Sequence, residues 1–274
     1  MDLIDIIILI TIAISGTVFG SFFTLAVHRI PRKEDITHER SYCPKCNHKL
    51  HFLDLIPVFS YIFLGGKCRY CKDKIRPRYL LLEIFSGLVF LLLGLSYNIN
   101  IETPITGYIS FALLILFLCC VFIVGGIDKE KYTIPNGLIV YGLIIATVKV
   151  IFDKFFIGNN LYFNLIGFIA IPFILFVANL ISKKCFKAEE LPFGGGDIKY
   201  LAVLGLFCGF GLQVMIFELS IILIFIYKLF ELLFKKPKKQ IAWGFYLSIA
   251  SAILLIVAPH ITSVIDVFNF MVQF

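Results

Sequence analysis

The stretch TGYISFALLILFLCCVFIVGGID, residues 106–128, decides the fold, because 22 residues without a charge are followed by an aspartate. A helix of about twenty apolar residues is needed to cross the hydrocarbon core of a bilayer. A carboxylate beside that core is costly and usually has a functional reason to be there. The stretch therefore predicts a membrane-spanning helix with Asp128 at its end.

Apolar runs of this kind recur along the chain, which has 274 residues and is 59% hydrophobic. A soluble domain of that length cannot bury so much apolar surface, so we expect an all-α polytopic membrane protein. The expected transmembrane helices, about eight, lie near 3–27, 79–97, 106–127, 137–153, 161–182, 198–213, 214–234 and 242–260. The sixth and seventh meet near Gly209 and Gly211, where one long bent element is the alternative. The expected domains are a first span (1–27), a polar lobe with four cysteines (28–78) and a membrane-embedded domain (79–274).

Basic residues mark one side of the expected spans. The segments 28–78, 129–131, 183–199 and 235–239 hold 22 Lys and Arg residues, whereas the opposite side holds Lys149 and Lys154. Because short cytoplasmic loops carry the excess of basic residues, we expect these segments to be cytoplasmic and both termini to lie outside. The net charge of +7 is then a topology signal beside anionic lipid rather than a nucleic-acid-binding surface. The lipid bilayer is an expected partner, and nucleic acid is not.

A second aspartate, Asp197, follows a glycine run in FGGGDIK, residues 193–199. Asp128 ends the third expected span and Asp197 begins the sixth, so both are expected at the cytoplasmic face. Two carboxylates held close together share one proton, and such a pair can activate water and protonate a leaving amine. The pair therefore predicts peptide hydrolysis without a covalent intermediate.

Residues beside the aspartates suit this chemistry. Gly194, Gly195 and Gly196 are expected to adopt unusual backbone angles and to let an extended peptide approach Asp197. Pro135 disfavours helix at the residue before it. We therefore expect the three glycines and the proline to position a substrate.

Other interpretations of the two aspartates stay open. Each can cap a helix or pair with its neighbouring lysine, Lys129 or Lys199. A proton-coupled transporter also uses carboxylates, but it would place them near mid-membrane within an internal repeat. A non-enzymatic scaffold with a zinc lobe would tolerate the loss of either aspartate.

The polar lobe contains two C-x2-C pairs, Cys43 with Cys46 and Cys68 with Cys71, separated by 21 residues. Four thiolates on two tight turns can bind one structural zinc ion, as in zinc ribbons. On a reducing cytoplasmic face they are not expected to form structural disulfides. A redox pair and unmetallated thiols are the alternatives. The candidate substitute ligands are His48 and His51.

Between the cysteine pairs, residues 51–64 are too apolar for a solvated loop and too broken for a span. This segment either lies on the membrane surface, where it would help to present a substrate, or packs under the zinc lobe. Packing under the lobe is the simpler interpretation.

Taken in order, these motifs are similar to those of the prepilin peptidases, or type IV leader peptidases, which are polytopic aspartic proteases. The resemblance covers most of the chain. Its N-terminal part rests on Gly20-Ser21-Phe22, Arg29-Ile30-Pro31, Ser41 to Cys46, Asp54 to Pro57, Gly66 to Cys71, Ile75 to Tyr79 and Glu83. Its two catalytic motifs are matched by Asp128 with Ile134-Pro135-Asn136 and by Gly194-Gly195-Gly196-Asp197-Ile198-Lys199.

The resemblance implies removal of the basic leader from prepilin or pseudopilin precursors, at the cytoplasmic face of the bacterial inner membrane, with Asp128 and Asp197 as catalytic residues. Members with the four-cysteine loop commonly also N-methylate the new amino terminus with S-adenosylmethionine, so this activity is implied too. Glu83 is then either a methyltransferase residue or a residue that holds the lobe to the helix bundle by a hydrogen bond. Candidate acidic contacts for the leader are Glu39, Glu130, Glu189 and Glu190. Another intramembrane aspartic protease is the competing interpretation.

Overall fold

The computed structural model describes residues 2–36, 40–43, 45–185, 193–234 and 240–261. Within these ranges the chain forms nine α-helices and two isolated β-bridges, which confirms the all-α prediction for this part of the chain. The helices are α1 (Leu3–Arg29), α2 (Phe59–Phe63), α3 (Arg78–Ser96), α4 (Ile105–Lys131), α5 (Asn136–Phe152), α6 (Tyr162–Cys185), α7 (Gly195–Cys208), α8 (Phe210–Phe234) and α9 (Trp243–Val257). The chain divides into a first unit, Met1–Thr103, and a second unit, Pro104–Phe274. Glu39, Glu189, Glu190 and the basic segment 235–239 lie outside the described residues.

Six of these helices, α1, α3, α4, α6, α8 and α9, are long and apolar enough to cross a membrane. α5 and α7 have 17 and 14 residues and are not among these six candidates. At a rise of 1.5 Å per residue α7 is roughly 21 Å long, against about 30 Å of hydrocarbon. Helices are thus present at all eight predicted positions, but a count of eight spans is not confirmed. α7 and α8 are separate helices because the chain breaks at Gly209, whose φ is 77°.

In the first unit, α1 and α3 pack closely because glycines face the opposite helix. A Cβ on Gly16 would lie 2.8 Å from Phe90, and one on Gly87 would lie 2.7 Å from Thr17. The hydroxyl of Ser86 donates a hydrogen bond to the Gly16 carbonyl at 2.8 Å. Small residues and serine hydrogen bonds hold helices together in lipid, where the hydrophobic effect does not. The polar lobe is the segment of chain that joins these two helices.

In the second unit, α4 is largely buried and contacts both α5 and α9. Phe117 of α4 stacks on Phe207 of α7, with ring centroids 3.8 Å apart. α7 also crosses α6 at a glycine contact, where a Cβ on Gly167 would lie 2.7 Å from the Gly205 carbonyl oxygen. These contacts pack α7 against both α4 and α6.

Candidate active site

Asp128 lies in the last turns of α4, and only 4% of its surface is exposed. The C-terminal end of a helix is an unfavourable place for a carboxylate, because the backbone carbonyls there are partly negative. The beginning of α9 compensates for this. The amide of Phe245 donates a hydrogen bond to Asp128 Oδ2 at 3.0 Å, and the amide of Gly244 also faces the carboxylate. The end of α4 is thus joined to the amides at the start of α9.

Beyond Asp128 the chain turns sharply into α5. Tyr132 ends α4 in the left-handed conformation, with φ 55°. Pro135 is extended and directly precedes the first residue of α5, Asn136. Its position outside the helix agrees with the expectation that it interrupts helix after Asp128.

Asp197 lies in the first turn of α7, which is not among the six candidate spans. Its carboxylate faces the amides of Gly194 and Gly244. A carboxylate at a helix N-terminus is stabilised by the unpaired amides there. The Asp197 side chain therefore turns back towards the amides at the start of its own helix.

The structure brings the two aspartates together at the Gly244 amide, which faces both carboxylates. Burial and, second, the negative charge of Asp128 raise the pKa of Asp197 to about 7. Asp197 therefore keeps its proton to a higher pH than a free aspartate does, as expected for two carboxylates that share a proton. The distribution of Lys and Arg predicts that the two aspartates can meet, and within the second unit they do meet. The catalytic role of the pair stays a prediction.

The glycine run differs from its prediction. None of Gly194, Gly195 and Gly196 has a positive φ, so the expectation of unusual backbone angles is wrong. Close packing explains why two of these three positions are glycine. A Cβ on Gly194 would lie 2.6 Å from Asp197 Oδ2, and one on Gly196 would lie 3.3 Å from Ile134 Cβ. Gly195 has open space around it, which leaves room for a substrate backbone.

The lysines beside the aspartates have other partners. Lys199 Nζ donates to the side-chain oxygen of Asn136 at 3.1 Å. Lys129 Nζ lies 4.4 Å from the centroid of the Phe245 ring, a cation–π contact. The structure thus gives no support to the interpretation that each aspartate serves to pair with its neighbouring lysine.

Two features of the site were missed from the sequence. One is the start of α9, where Gly244 and Phe245 supply amides to the carboxylates. The other is Asn179, a buried residue of α6. Its side chain accepts from the Phe193 amide at 3.1 Å and donates to the Phe193 carbonyl at 2.9 Å, which fixes the residue before the glycine run. An asparagine in the middle of an apolar span is a usable signal, because polar groups in lipid need partners.

The four cysteines of the lobe converge, with all four sulfurs within 4.8 Å of one another. Cys43 Sγ and Cys71 Sγ are 3.8 Å apart. A tetrahedral zinc ion with Zn–S bonds of about 2.3 Å requires sulfurs about 3.8 Å apart. The thiols therefore fit a single zinc ion, which would staple the two halves of the lobe.

The two cysteine turns have the same geometry. The amide of Asn47 donates to the Cys43 carbonyl at 2.8 Å, and the amide of Lys72 donates to the Cys68 carbonyl at 3.1 Å. Asn47 and Lys72 both adopt the left-handed conformation, with φ 55° and 59°. Burial opposes ionisation of Cys43, but amides of Cys46 and Lys45 outweigh it and lower the pKa of Cys43 to about 7. A low pKa favours the thiolate that binds metal.

Two further residues from the sequence analysis, one in the lobe and one in α3, have clear surroundings. His48 lies against the ring of Tyr70, with centroids 3.6 Å apart, and the four cysteines form the cluster without either histidine. Glu83 Oε2 accepts a hydrogen bond from the Val58 amide at 2.8 Å. This contact agrees with the structural alternative for Glu83, whereas a methyltransferase role stays a prediction.

Together these features define a polytopic helical membrane protein with a carboxylate pair and a four-cysteine lobe. Residues 114–229, which include both aspartates, match the type IV leader peptidase family. Residues 14–97, which include all four cysteines, match the bacterial peptidase A24 N-terminal domain. The chain therefore belongs to the type IV leader peptidase family, as its resemblance implied, and it is a peptidase.

Curated relatives agree over most of the chain. The prepilin leader peptidase/N-methyltransferase of Vibrio cholerae is 32% identical over 232 residues, which is 81% of this chain and 86% of the relative. The protein of the same name from Klebsiella pneumoniae is 30% identical over 205 residues, 72% of this chain and 83% of the relative. The protein of the same name from Pseudomonas aeruginosa is 25% identical over 273 residues, which is 90% of this chain and 89% of the relative. No solved structure matches the chain.

Proposed function

We propose that this chain is an aspartic endopeptidase that removes the basic leader from type IV prepilin-like precursors at the cytoplasmic face of the inner membrane. The observation that carries the proposal is the convergence of Asp128 and Asp197 on the Gly244 amide. The relatives' names, which specify prepilin leader peptidase, supply the substrate class.

The chemistry follows from one proton shared by two carboxyl groups. The ionised carboxylate takes a proton from a water molecule as that water attacks the scissile carbonyl carbon. The protonated carboxyl then gives its proton to the leaving amine when the C–N bond breaks. Because the pair has gained one proton from water and lost one to the amine, it again holds one proton. The open space at Gly195 allows a peptide backbone to lie beside Asp197 while this happens.

We further propose that the chain N-methylates the new amino terminus with S-adenosylmethionine. The relatives' names include N-methyltransferase, and the four-cysteine lobe belongs to the matched N-terminal domain. Glu83 is our candidate residue for this methyltransferase activity. Its alternative role is to hold the lobe, through the hydrogen bond that its carboxylate accepts from the Val58 amide.

The test is cleavage of a purified prepilin by the detergent-solubilised full chain, with product mass read in the presence and absence of S-adenosylmethionine. Loss of the leader supports the peptidase, and a further methyl mass supports the second activity. A precursor without a basic leader is the matched control, and its equal cleavage would favour a general intramembrane protease. Proton flux in vesicles without cleavage would favour the transporter.

Gly195→Ala tests whether the glycine run positions substrate. The added methyl group has open space in the structure, so the fold is expected to be unchanged. We expect kcat/KM for leader cleavage to fall by about 100-fold, the order produced by a misplacement of about 1 Å. The matched control is Gly137→Ala, another glycine with open space around it, which should cleave normally. Full activity of Gly195→Ala would remove the substrate-positioning role of this residue.

Gly244→Ala tests the contribution of α9. Its Cβ would lie 2.9 Å from Ile134 Cδ1 and 3.1 Å from the Asp128 carboxylate, so the start of α9 must shift. We expect a loss of about 100-fold in kcat/KM, because the amides no longer hold the pair. Cleavage assays beside a thermal unfolding measurement separate this loss from general unfolding. An active Gly244→Ala protein would show that the aspartates do not need these amides.

The pH dependence of cleavage follows from the proton on Asp197. Because the pKa of Asp197 is raised to about 7, the shared proton is kept below that pH and lost as the pH rises through it. We expect kcat/KM to fall about tenfold per pH unit well above pH 7, with a midpoint that belongs to the pair. Product mass from pH 5 to pH 9 gives the profile, and circular dichroism checks the fold at each pH. A rate that stays flat to pH 9 would contradict the shared proton.

A further inference from the structure

One segment of the first unit presents an unusual apolar surface. Residues 52–63, here called the apolar arm, have six large apolar side chains that are 38–84% exposed, namely Phe52, Leu53, Leu55, Phe59, Ile62 and Phe63. The expectation that this segment packs under the zinc lobe is therefore wrong for these side chains. Within the arm, α2 spaces Phe59, Ile62 and Phe63 so that they lie on one helix face.

The arm is held at the level where α3 begins. The Val58 amide donates to the carboxylate of Glu83, which lies in the second turn of α3, a candidate membrane span. Val58 has φ 63°, a conformation that is rare for a β-branched residue and needs support from its surroundings. Neighbouring α3 side chains are also apolar and 42–63% exposed, namely Leu81, Leu82, Ile84 and Phe85. The Val58–Glu83 hydrogen bond therefore holds the arm beside the exposed apolar surface at the start of α3.

The other side of the arm is bound to the second cysteine turn. Asp54 accepts from Arg69 Nε at 2.6 Å and from the Tyr70 hydroxyl at 3.3 Å. The Tyr61 hydroxyl donates to the Ile75 carbonyl at 3.4 Å. The polar contacts of the arm thus face the lobe, whereas Leu53, Phe59 and Phe63 line an open apolar cleft at whose edge Arg69 lies.

Charge around the arm suits a lipid surface. Residues 28–78 contain twelve Lys and Arg against five Asp and Glu. The cytoplasmic leaflet carries anionic lipid that attracts such basic segments. An apolar helix face flanked by basic residues is typical of segments that lie in the membrane interface. A water-exposed face of this kind, by contrast, would be an aggregation hazard.

We propose that the apolar arm is a membrane-surface anchor, with Phe59, Ile62 and Phe63 inserted into the interfacial region of the leaflet that α3 enters. The zinc lobe is then held against the bilayer by two attachments, its flanking helices and the arm. This inference does not depend on the peptidase reaction.

The test uses tryptophan fluorescence of the full chain reconstituted in vesicles of phosphatidylethanolamine and phosphatidylglycerol. The chain has one tryptophan, Trp243. The fluorescence of Trp243 in the wild type is therefore subtracted from that of each variant. Phe59→Trp and Phe63→Trp place probes on the arm. The matched control is Tyr42→Trp, an exposed aromatic position on the first cysteine turn. Circular dichroism and thermal unfolding of each variant check that it is folded.

We expect lipids brominated near the headgroup to quench the arm probes roughly twofold or more relative to the Tyr42→Trp probe. Acrylamide, which stays in the aqueous phase, should quench the Tyr42→Trp probe more strongly than the arm probes. The proposal is overturned if the arm probes are open to acrylamide and insensitive to bromolipid. It is equally overturned if they are shielded from both quenchers, because a protein surface would then cover the arm.

Discussion

Asp128→Asn and Asp197→Asn are each expected to abolish leader cleavage, with kcat/KM reduced by about 1000-fold. Asparagine has almost the same shape as aspartate, but it neither takes a proton from water nor gives one to the leaving amine. The side-chain oxygen of Asn at position 128 can still accept from the Phe245 amide, so α4 and α9 should stay joined. Cleavage of a purified prepilin, read by product mass, measures the loss.

Glu102→Gln is the matched control for this experiment. Glu102 is an exposed carboxylate in the loop between α3 and α4, and it has no role in the proposed site. Its neutralisation removes one negative charge, as the aspartate variants do, but leaves the pair intact, so cleavage should persist. Unchanged circular dichroism and membrane insertion establish that the inactive variants are folded. Cleavage by either aspartate variant would remove that residue from the mechanism.

The second large effect is expected from Cys43→Ser combined with Cys68→Ser, which removes one ligand from each cysteine turn. Bound zinc should fall from one ion per chain to none. A core of the lobe's size supplies only about 3–5 kcal/mol, whereas structural zinc contributes an apparent 10–16 kcal/mol in finger peptides. We therefore expect the lobe to unfold without the metal. Metal analysis and limited proteolysis of residues 40–78 measure the two effects.

Cys185→Ser is the control for the zinc experiment, since Cys185 is exposed and lies outside the four-cysteine cluster. It should retain the metal and a protease-resistant lobe. The zinc hypothesis fails if the double variant keeps its zinc. It also fails if the wild type contains no metal and yet resists proteolysis.

The sequence predicted those parts of the molecule that depend on local pattern. Apolar runs located a helix at each expected position, and cysteine spacing located the cluster that the structure shows. The spacing of basic residues placed Asp128 and Asp197 on one face, and they do meet. The count of spans was less secure, because α7 is a helix of only 14 residues.

What the sequence did not reveal depends on distant parts of the chain. The amide of Phe245 that binds Asp128 is 117 residues away in sequence, beyond the reach of any periodic pattern. The glycine run was assigned to backbone freedom, whereas Gly194 and Gly196 are needed because side chains approach them. For residues 51–64 the sequence leaves both the membrane surface and lobe packing open, because composition alone does not distinguish lipid from protein as the covering surface.

The position of α9 along the chain has a consequence for biosynthesis. α4 and α7, which carry the aspartates, are translated before the residues at the start of α9. Until Gly244 and Phe245 have been made and placed, Asp128 lies at the negative end of its helix without the amides that face it in the finished protein. A ribosome-bound chain that ends before α9 therefore contains both acidic residues but not the completed pair. On the proposed mechanism, we expect proteolytic activity to begin only after α9 has been made and placed.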